Sequence, residues 1–192
     1  MISLALARQI SNQLLKQLII PAKWDIMHVG SIRRENPLIK DIDFLIIVPK
    51  IQDYKIRFEA GLIKIHAINL DGQRHKSFTI NYKNIKCLVD LFFATEKEKP
   101  FAMFHYTGSR LYNIRTRATA KKYGWKLNQY GLFYANNNRG YANINNNINN
   151  INNINHNINN NRSVRGSKLI KTEKQLAKFL SVSYRLPFDR EK

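Results

Sequence analysis

The stretch that decides the fold is Asp41-Ile42-Asp43-Phe44-Leu45-Ile46-Ile47-Val48, an apolar run that begins with two carboxylates. A run this rich in β-branched and aromatic residues predicts a buried strand. Alternate residues of a strand point to the same face, so we expect Asp41 and Asp43 to lie side by side. A carboxylate in an apolar setting is destabilising unless a cation compensates its charge. The stretch therefore predicts a strand that carries a cation site.

A third carboxylate, Asp90, lies inside a second apolar run at residues 85–94. If this run forms a strand beside the first one, Asp41, Asp43 and Asp90 make a cluster of oxygen ligands. Such ligands suit Mg²⁺, which binds through a few carboxylates, water and substrate phosphates. The pattern indicates metal-dependent phosphoryl transfer. The alternative is that Asp-X-Asp is only a turn or a solvated strand end.

The residues before the first strand favour the functional interpretation. Gly30-Ser31 precedes Asp41 by ten residues. A glycine–serine turn lets backbone N–H groups and a hydroxyl approach a phosphate closely. Arg33 and Arg34 follow at once and add charge-assisted donors. We therefore expect this segment to hold phosphate groups next to the carboxylates.

The charge of the chain indicates a nucleic-acid partner. The 192 residues include 32 Lys and Arg but only 13 Asp and Glu, and the net charge is +19. From Lys99 to Thr172 there is no acidic residue, while 12 Lys or Arg occur. Such an excess is typical of nucleic-acid binding. A ribosomal-type or membrane-surface protein could share it, but neither needs carboxylates inside apolar strands.

Two further features indicate a soluble protein of a reducing compartment. Cys87 is the only cysteine, so no internal disulfide can form. The first apolar segment, residues 2–20, is interrupted by polar residues that include Arg8 and Lys16. It therefore has the composition of neither a signal peptide nor a membrane span.

The order of periodic segments predicts an α+β fold. We expect a helix at 3–19, strands at 26–29, 43–48, 62–68, 78–82 and 85–94, a helix at 109–123, strands at 125–127 and 131–134, and a helix at 172–180. This order divides the chain into a catalytic domain at 1–98 and a second domain at 99–192. Residues 136–161 contain 16 Asn and 5 Ile, too little apolar surface to order the segment, so we expect a disordered insert there.

The segment His105-Tyr106-Thr107-Gly108-Ser109 introduces the predicted helix at 109–123. Its basic residues form two stripes at helical spacing, the first with Arg110, Arg117 and Lys121 and the second with Arg115 and Lys122. Solvated helix faces normally mix both signs of charge, and this one does not. We expect Leu111, Ile114 and Ala118 to face the domain interior.

Several motifs together resemble the X family of DNA polymerases, and in particular its small viral members. They are G-S-I-R-R (30–34), D-I-D-F-L-I-I-V (41–48), V-D-L-F (89–92), H-Y-T-G-S-R-L-Y-N-I-R-T-R-A (105–118), L-N-Q-Y-G-L-F (127–133) and the closing segment at 172–191. The resemblance runs in order over nearly the whole chain except the Asn-rich insert. It implies a nucleotidyltransferase palm, with a mixed sheet and helices, followed by a small α/β nucleotide-binding domain. We expect no lyase or helix-hairpin-helix domain.

The resemblance also assigns roles to residues. Asp41, Asp43 and Asp90 match the ligands of two Mg²⁺ ions, for which Mn²⁺ is an expected substitute, and Asp90 matches the acceptor of the primer hydroxyl proton. The residues that match dNTP-binding positions are Gly30, Ser31 and Arg34 at the triphosphate, Tyr106 and Gly108 at the sugar, Asn113 at the base edge, and His105 beside them. The expected DNA contacts are Arg33, Lys40, Arg110, Arg115, Arg117, Lys121 and Lys122, with Arg117 near the templating nucleotide.

The implied function is template-directed DNA synthesis that fills short gaps in viral base-excision repair. The expected partners are gapped or nicked double-stranded DNA, dNTPs, a viral DNA ligase and an AP endonuclease. We expect a monomer in the host cytoplasm, at the virus factory, and in the virion. One alternative is an RNA-tailing or small-molecule-modifying nucleotidyltransferase, which the use of dNTPs rather than rNTPs would exclude. The other is a non-catalytic DNA-binding module, which would not need intact carboxylates.

Overall fold

The computed structural model describes residues 1–135 and 162–191. Its helices are α1 (Leu4–Gln17), α2 (Gly30–Arg33), α3 (Lys99–Thr107), α4 (Arg110–Lys122) and α5 (Glu173–Phe179). Its strands are β1 (Ile2–Ser3), β2 (Leu18–Ile19), β3 (Asp25–His28), β4 (Leu38–Ile39), β5 (Asp41–Val48), β6 (Arg57–Phe58), β7 (Ile63–Asp71), β8 (His75–Tyr82), β9 (Ile85–Thr95), β10 (Trp125–Asn128) and β11 (Gly131–Tyr134). The predicted α+β class is confirmed. The Asn-rich insert lies outside the described residues.

A five-stranded mixed sheet with the order β3-β5-β9-β8-β7 forms the centre of the first half of the chain. The strands β5 and β9 pair in parallel, and the other neighbours pair antiparallel. Two short antiparallel pairs, β1 with β4 and β2 with β6, lie beside this sheet. The parallel register sets Asp43 directly opposite Asp90.

The two faces of this sheet have different coverings. One face carries Ile42, Phe44 and Ile46 of β5 in the main core cluster, which also includes the buried side of α1. The other face carries Leu45 and Ile47 in a smaller cluster with residues of α3. Because side chains alternate along β5, Asp41 and Asp43 share the second face with Leu45 and Ile47. The carboxylates thus lie on the face that α3 also covers.

The second half of the chain has a core cluster of its own. It includes Phe104 of α3, Ala120 of α4, Leu132 of β11 and Leu176 of α5. The strands β10 and β11 form an antiparallel hairpin beside these helices. Since α3 contributes to this cluster and to the cluster on the sheet, the division at 98/99 stays a prediction. No helix in the described parts of the chain is long and apolar enough to cross a membrane.

The structure differs from the sequence prediction at several places besides the unpredicted short strands β1, β2, β4 and β6. Residues 99–107 form the helix α3, which was not predicted, and Gly30-Ser31 begins the short helix α2 rather than a simple turn. The expected interior face of α4 is wrong, because Leu111 is 60% exposed and Ile114 is 46% exposed. The buried residues of α4 are instead Tyr112, Asn113, Thr116 and Ala120.

A buried ion-pair network connects the two halves. The Glu173 carboxylate accepts hydrogen bonds from Arg33 Nη2 at 2.5 Å and from Arg190 Nη2 at 2.9 Å. The Glu173 and Arg190 side chains are 8% and 0% exposed. Arg33 also donates to Thr107 Oγ1, and Arg190 donates to the carbonyl of Gly108. We call Arg33, Glu173 and Arg190 the interdomain latch.

We predict that Glu173→Ala lowers the free energy of unfolding by about 3–5 kcal/mol, because it leaves the buried Arg190 without its counter-charge. Glu35→Ala is the matched control, since Glu35 pairs with Arg8 at the surface and its loss should change stability by less than about 1 kcal/mol. Urea unfolding of both variants measures the difference. Equal stabilities would contradict a structural role for the latch.

Candidate active site

The structure brings together the three carboxylates that the sequence singled out. Asp43 lies opposite Asp90 in the parallel pair, and Asp41 is two residues away on the same face of β5. Burial and then the negative charges of Asp41 and Asp90 raise the pKa of Asp43 from 3.8 to about 7, against a smaller opposing effect of Arg34. The cluster therefore holds its negative charge at a free-energy cost, which a bound cation would offset.

The carboxylates are close, yet their side chains do not converge on one point. Within residues 1–135 and 162–191, no three His, Cys, Asp or Glu side chains form a group that could hold a metal ion as they stand. Like charges repel each other in the absence of a cation. In addition, Asp90 Oδ1 lies 2.8 Å from His75 Nε2, a contact that no motif of the sequence indicates.

Gly30 is required by its distance from Asp43. A Cβ atom at position 30 would lie 1.9 Å from Asp43 Oδ2, and Gly30 has a φ of +57° that disfavours other residues. The adjacent Ser31 hydroxyl is buried and has no hydrogen-bond partner among the residues that the structure describes. A buried hydroxyl without a partner is destabilising. The start of α2 therefore offers an unused polar group directly beside the carboxylates, as a phosphate-binding site would require.

Arg34 connects this segment with the second half of the chain. Its Nη1 donates to the Thr107 carbonyl at 2.5 Å, and its Nε donates to Glu191 Oε1 at 2.5 Å. A Cβ atom at Gly108 would lie 3.1 Å from Arg34 Nη1, and Gly108 also has a positive φ of +72°. The structure thus places Gly108 against the arginine that the sequence assigned to the triphosphate.

The aromatic residues at the end of α3 pack beside the carboxylate face. The Tyr106 ring stacks on Phe92 with a centroid distance of 4.0 Å, and burial raises the pKa of Tyr106 to about 12. Burial and then the charge of Arg117 lower the pKa of His105. Both side chains are therefore neutral near pH 7, and they present rings and hydrogen-bonding groups rather than charge.

Asn113 is oriented by the backbone of α3. Its Nδ2 donates to the His105 carbonyl at 2.7 Å, while its Oδ1 is buried without a partner in the described part of the chain. The minor-groove edges of A·T pairs present only acceptors, and G·C pairs add the N2 donor of guanine. Because Oδ1 is buried and Nδ2 is engaged, the Asn113 side chain must turn before it can accept from a guanine or donate to a base acceptor.

The expected DNA-binding residues fall into two groups. Lys40 and the basic residues of α4 are exposed; on α4 these are Arg110, Arg115, Arg117, Lys121 and Lys122. Arg33 is instead held in the interdomain latch. The structure therefore offers a continuous basic helix for phosphate contacts and uses Arg33 for contacts within the protein.

The donor set fits a hard divalent cation. It consists of carboxylate oxygens on neighbouring strands, one of which belongs to a side chain whose pKa is raised by the charges around it. Oxygen-only sites suit Mg²⁺ and tolerate Mn²⁺. The residues that would hold the cation are Asp41, Asp43 and Asp90.

Comparisons with known proteins identify relatives of this chain. The chain is 35% identical over 189 residues to the repair DNA polymerase X of African swine fever virus (isolate Pig/Kenya/KEN-50/1950), a match that covers 96% of this chain and 90% of that protein. It is 36% identical over 187 residues to the same enzyme of isolate Warthog/Namibia/Wart80/1980, with 96% and 90% covered. A match to the DNA polymerase/3′-5′ exonuclease PolX of Bacillus subtilis (strain 168) is 28% identical over 106 residues and covers 54% of this chain and 18% of that protein.

A family model and solved structures extend these comparisons. The model for the DNA polymerase beta thumb matches residues 102–191. The fold is similar to Leishmania infantum polymerase beta in a ternary gap complex, with a TM-score of 0.68, 17% identity, and 100% of this chain and 71% of that chain covered. The ternary P/T complex of the same enzyme gives a TM-score of 0.65 at 18% identity, with 100% and 77% covered. The chain therefore belongs to the X family of DNA polymerases and is a DNA-directed DNA polymerase.

Proposed function

We propose that this polymerase fills short gaps during base-excision repair of viral DNA, with two Mg²⁺ ions bound by Asp41, Asp43 and Asp90. The observation that carries the proposal is the parallel register of β5 and β9, which sets Asp43 opposite Asp90. The groups proposed to bind the triphosphate, on α2, lie against the same carboxylates. Acceptors for the cations and donors for the phosphates are thus adjacent, as nucleotidyl transfer requires.

The residues of the chain have separate roles in this proposal. Ser31 Oγ and the backbone at Gly30 donate hydrogen bonds to the triphosphate, and Arg34 neutralises part of its charge. In this proposal, Asp90 accepts the proton of the primer 3′-hydroxyl. When bound, the Mg²⁺ ions lower the pKa of that hydroxyl and neutralise charge on the phosphate oxygens. Tyr106 and Gly108 pack against the sugar and exclude a 2′-hydroxyl, and Asn113 contacts the nucleotide.

Binding of gapped or nicked DNA is supported by the exposed basic residues of α4 and by the relatives. The viral relatives are named repair polymerases, and one structural relative was solved with a gapped substrate. In the proposal, residues 1–98 act as the palm and residues 99–192 as the nucleotide- and DNA-binding domain. A filled gap is a nick, so a DNA ligase would act on the product and an AP endonuclease would act before this step. The proposed place of action is the virus factory.

We predict that Asp90→Asn lowers single-nucleotide gap filling by roughly 10⁴-fold, because the proposed proton acceptor and cation ligand loses its charge. The measurement is primer extension on a one-nucleotide gap with a 5′-phosphate, with and without Mg²⁺. DNA affinity and the fold should be unchanged. Asp25→Asn is the control, since Asp25 is exposed and pairs with Lys99. Activity of Asp90→Asn near that of the wild type would refute the proposed site.

A second prediction concerns the stability of the protein without metal. The pKa of Asp43 is raised to about 7 in the folded state, so the folded state binds a proton more tightly than the unfolded state. The stabilisation from this proton is complete below about pH 4 and is lost as the pH rises through about 7. In EDTA, this proton should therefore stabilise the wild type more at pH 6 than at pH 8, against an opposite contribution from His28 and His105, whose pKa values are lowered by burial.

Asp43→Asn is the comparison, because it should remove the contribution of Asp43 to the pH dependence and leave that of the histidines. Mg²⁺ added with a dNTP at pH 8 should recover stability in the wild type but not in Asp43→Asn. Urea unfolding at the two pH values measures both effects. Identical pH profiles of the two proteins would contradict the electrostatic description of the cluster.

A third prediction concerns DNA binding by α4. If about six phosphates are neutralised, log K should fall with log[salt] at a slope of roughly −5. Arg110→Ala and Lys121→Ala should each reduce the slope by about one unit with little change in sequence preference. Arg117→Ala should also reduce catalytic efficiency at saturating DNA. Lys64→Ala, at the exposed edge strand β7, is the control. Unchanged slopes in all three α4 variants would place DNA on another face.

A further inference from the structure

His75 lies within hydrogen-bond distance of Asp90, a proposed catalytic carboxylate. No motif in the sequence indicates a role for His75. It begins β8, and Ser77, two residues later, pairs with Asp90 of β9. Residues two apart on a strand share a face, so His75 and Asp90 are diagonal neighbours on the carboxylate face. His75 Nε2 lies 2.8 Å from Asp90 Oδ1, which is within hydrogen-bond distance.

The ring of His75 is fixed on its other side. It stacks on Phe92 with a centroid distance of 4.5 Å and an interplanar angle of 27°. Phe92 in turn stacks on Tyr106 at 4.0 Å and 14°. A surface histidine without a role would rotate freely, whereas this one is held between an aromatic stack and a carboxylate. The stack restricts rotation of the imidazole ring, and Nε2 therefore points to Asp90.

Among the residues that the structure describes, the Asp90 side chain has one hydrogen bond, and its partner is His75. The side chain of Asp90 is 13% exposed, and the residues before it on β9, Leu88 and Val89, are apolar. A hydrogen bond from His75 engages one carboxylate oxygen and leaves the second available to a cation or to the primer hydroxyl. Carboxylates that bind metals are commonly oriented by such outer hydrogen bonds.

We propose that His75 is a positioning residue that donates from Nε2 to Asp90 and holds this carboxylate in the orientation needed for cation binding and nucleotidyl transfer. The inference rests on the proposed role of Asp90. It requires no change in the charge of His75, because a neutral imidazole with its proton on Nε2 already donates this hydrogen bond.

Two substitutions separate the hydrogen bond from the ring stack. His75→Phe keeps an aromatic ring on Phe92 and removes the donor. His75→Gln removes the ring and places an amide donor near the position of Nε2. His66→Phe is the matched control, since His66 is exposed on the edge strand β7 and approaches Lys86 rather than the carboxylates.

The experiment measures kcat and KM for the dNTP at saturating gapped DNA, and the affinity for Mn²⁺ by electron paramagnetic resonance. We expect His75→Phe to lower kcat and Mn²⁺ affinity by about 10–100-fold, with the KM for the dNTP and the melting temperature nearly unchanged. His75→Gln should recover most of both losses, and His66→Phe should behave as the wild type.

Wild-type kcat and Mn²⁺ affinity in His75→Phe would overturn the inference. It would also be overturned if His75→Gln were as impaired as His75→Phe, because the ring stack rather than the hydrogen bond would then matter. Asp90→Asn distinguishes failure of this inference from failure of the proposed function. An active Asp90→Asn enzyme rejects the function of the site, whereas an inactive one beside a normal His75→Phe rejects only the role of His75.

Discussion

The parallel pairing of β5 with β9 is the constraint on which the rest of the structure depends. On one face of these strands, Ile42, Phe44 and Ile46 belong to the main core. A slip of one residue would turn this apolar set to the other face, so burial of the core fixes the register. The same register sets Asp43 opposite Asp90. The hydrophobic core therefore holds like charges together, and their repulsion is what makes the site receptive to cations.

The short helix α2 connects this site with the second half of the chain. Ser31 and Arg34 face the proposed triphosphate site, while Arg33 belongs to the interdomain latch. Arg34 donates to the Thr107 carbonyl and to Glu191. A nucleotide triphosphate would compete with these acceptors for the same guanidinium. In the proposed function, binding of the nucleotide would thus be coupled to the contact between the two halves of the protein through neighbouring arginines.

The elements that the sequence predicted well are those whose apolar residues recur with the regular period of a strand or a helix. The runs that form β5 and β9, the hairpin β10–β11 and the helix α1 lie where their patterns indicated. The sequence did not predict the helix α3, because α3 packs against the sheet and also against the core cluster of the second half of the chain. Its apolar residues therefore do not form a single stripe. The prediction of the buried face of α4 was wrong, because Asn113 and Thr116 are buried, with hydrogen bonds to backbone carbonyls, while Leu111 is exposed.

The sequence by itself determined which residues we propose for the chemistry. The carboxylates stand out because their apolar surroundings make charge costly, and the motifs around them are local enough to indicate the X family without a structure. Only the tertiary structure decided the partners of these groups, such as His75 for Asp90 and Glu173 for Arg33. Strand register and helix packing create such contacts between residues far apart in the chain, and no local pattern of residue types records them.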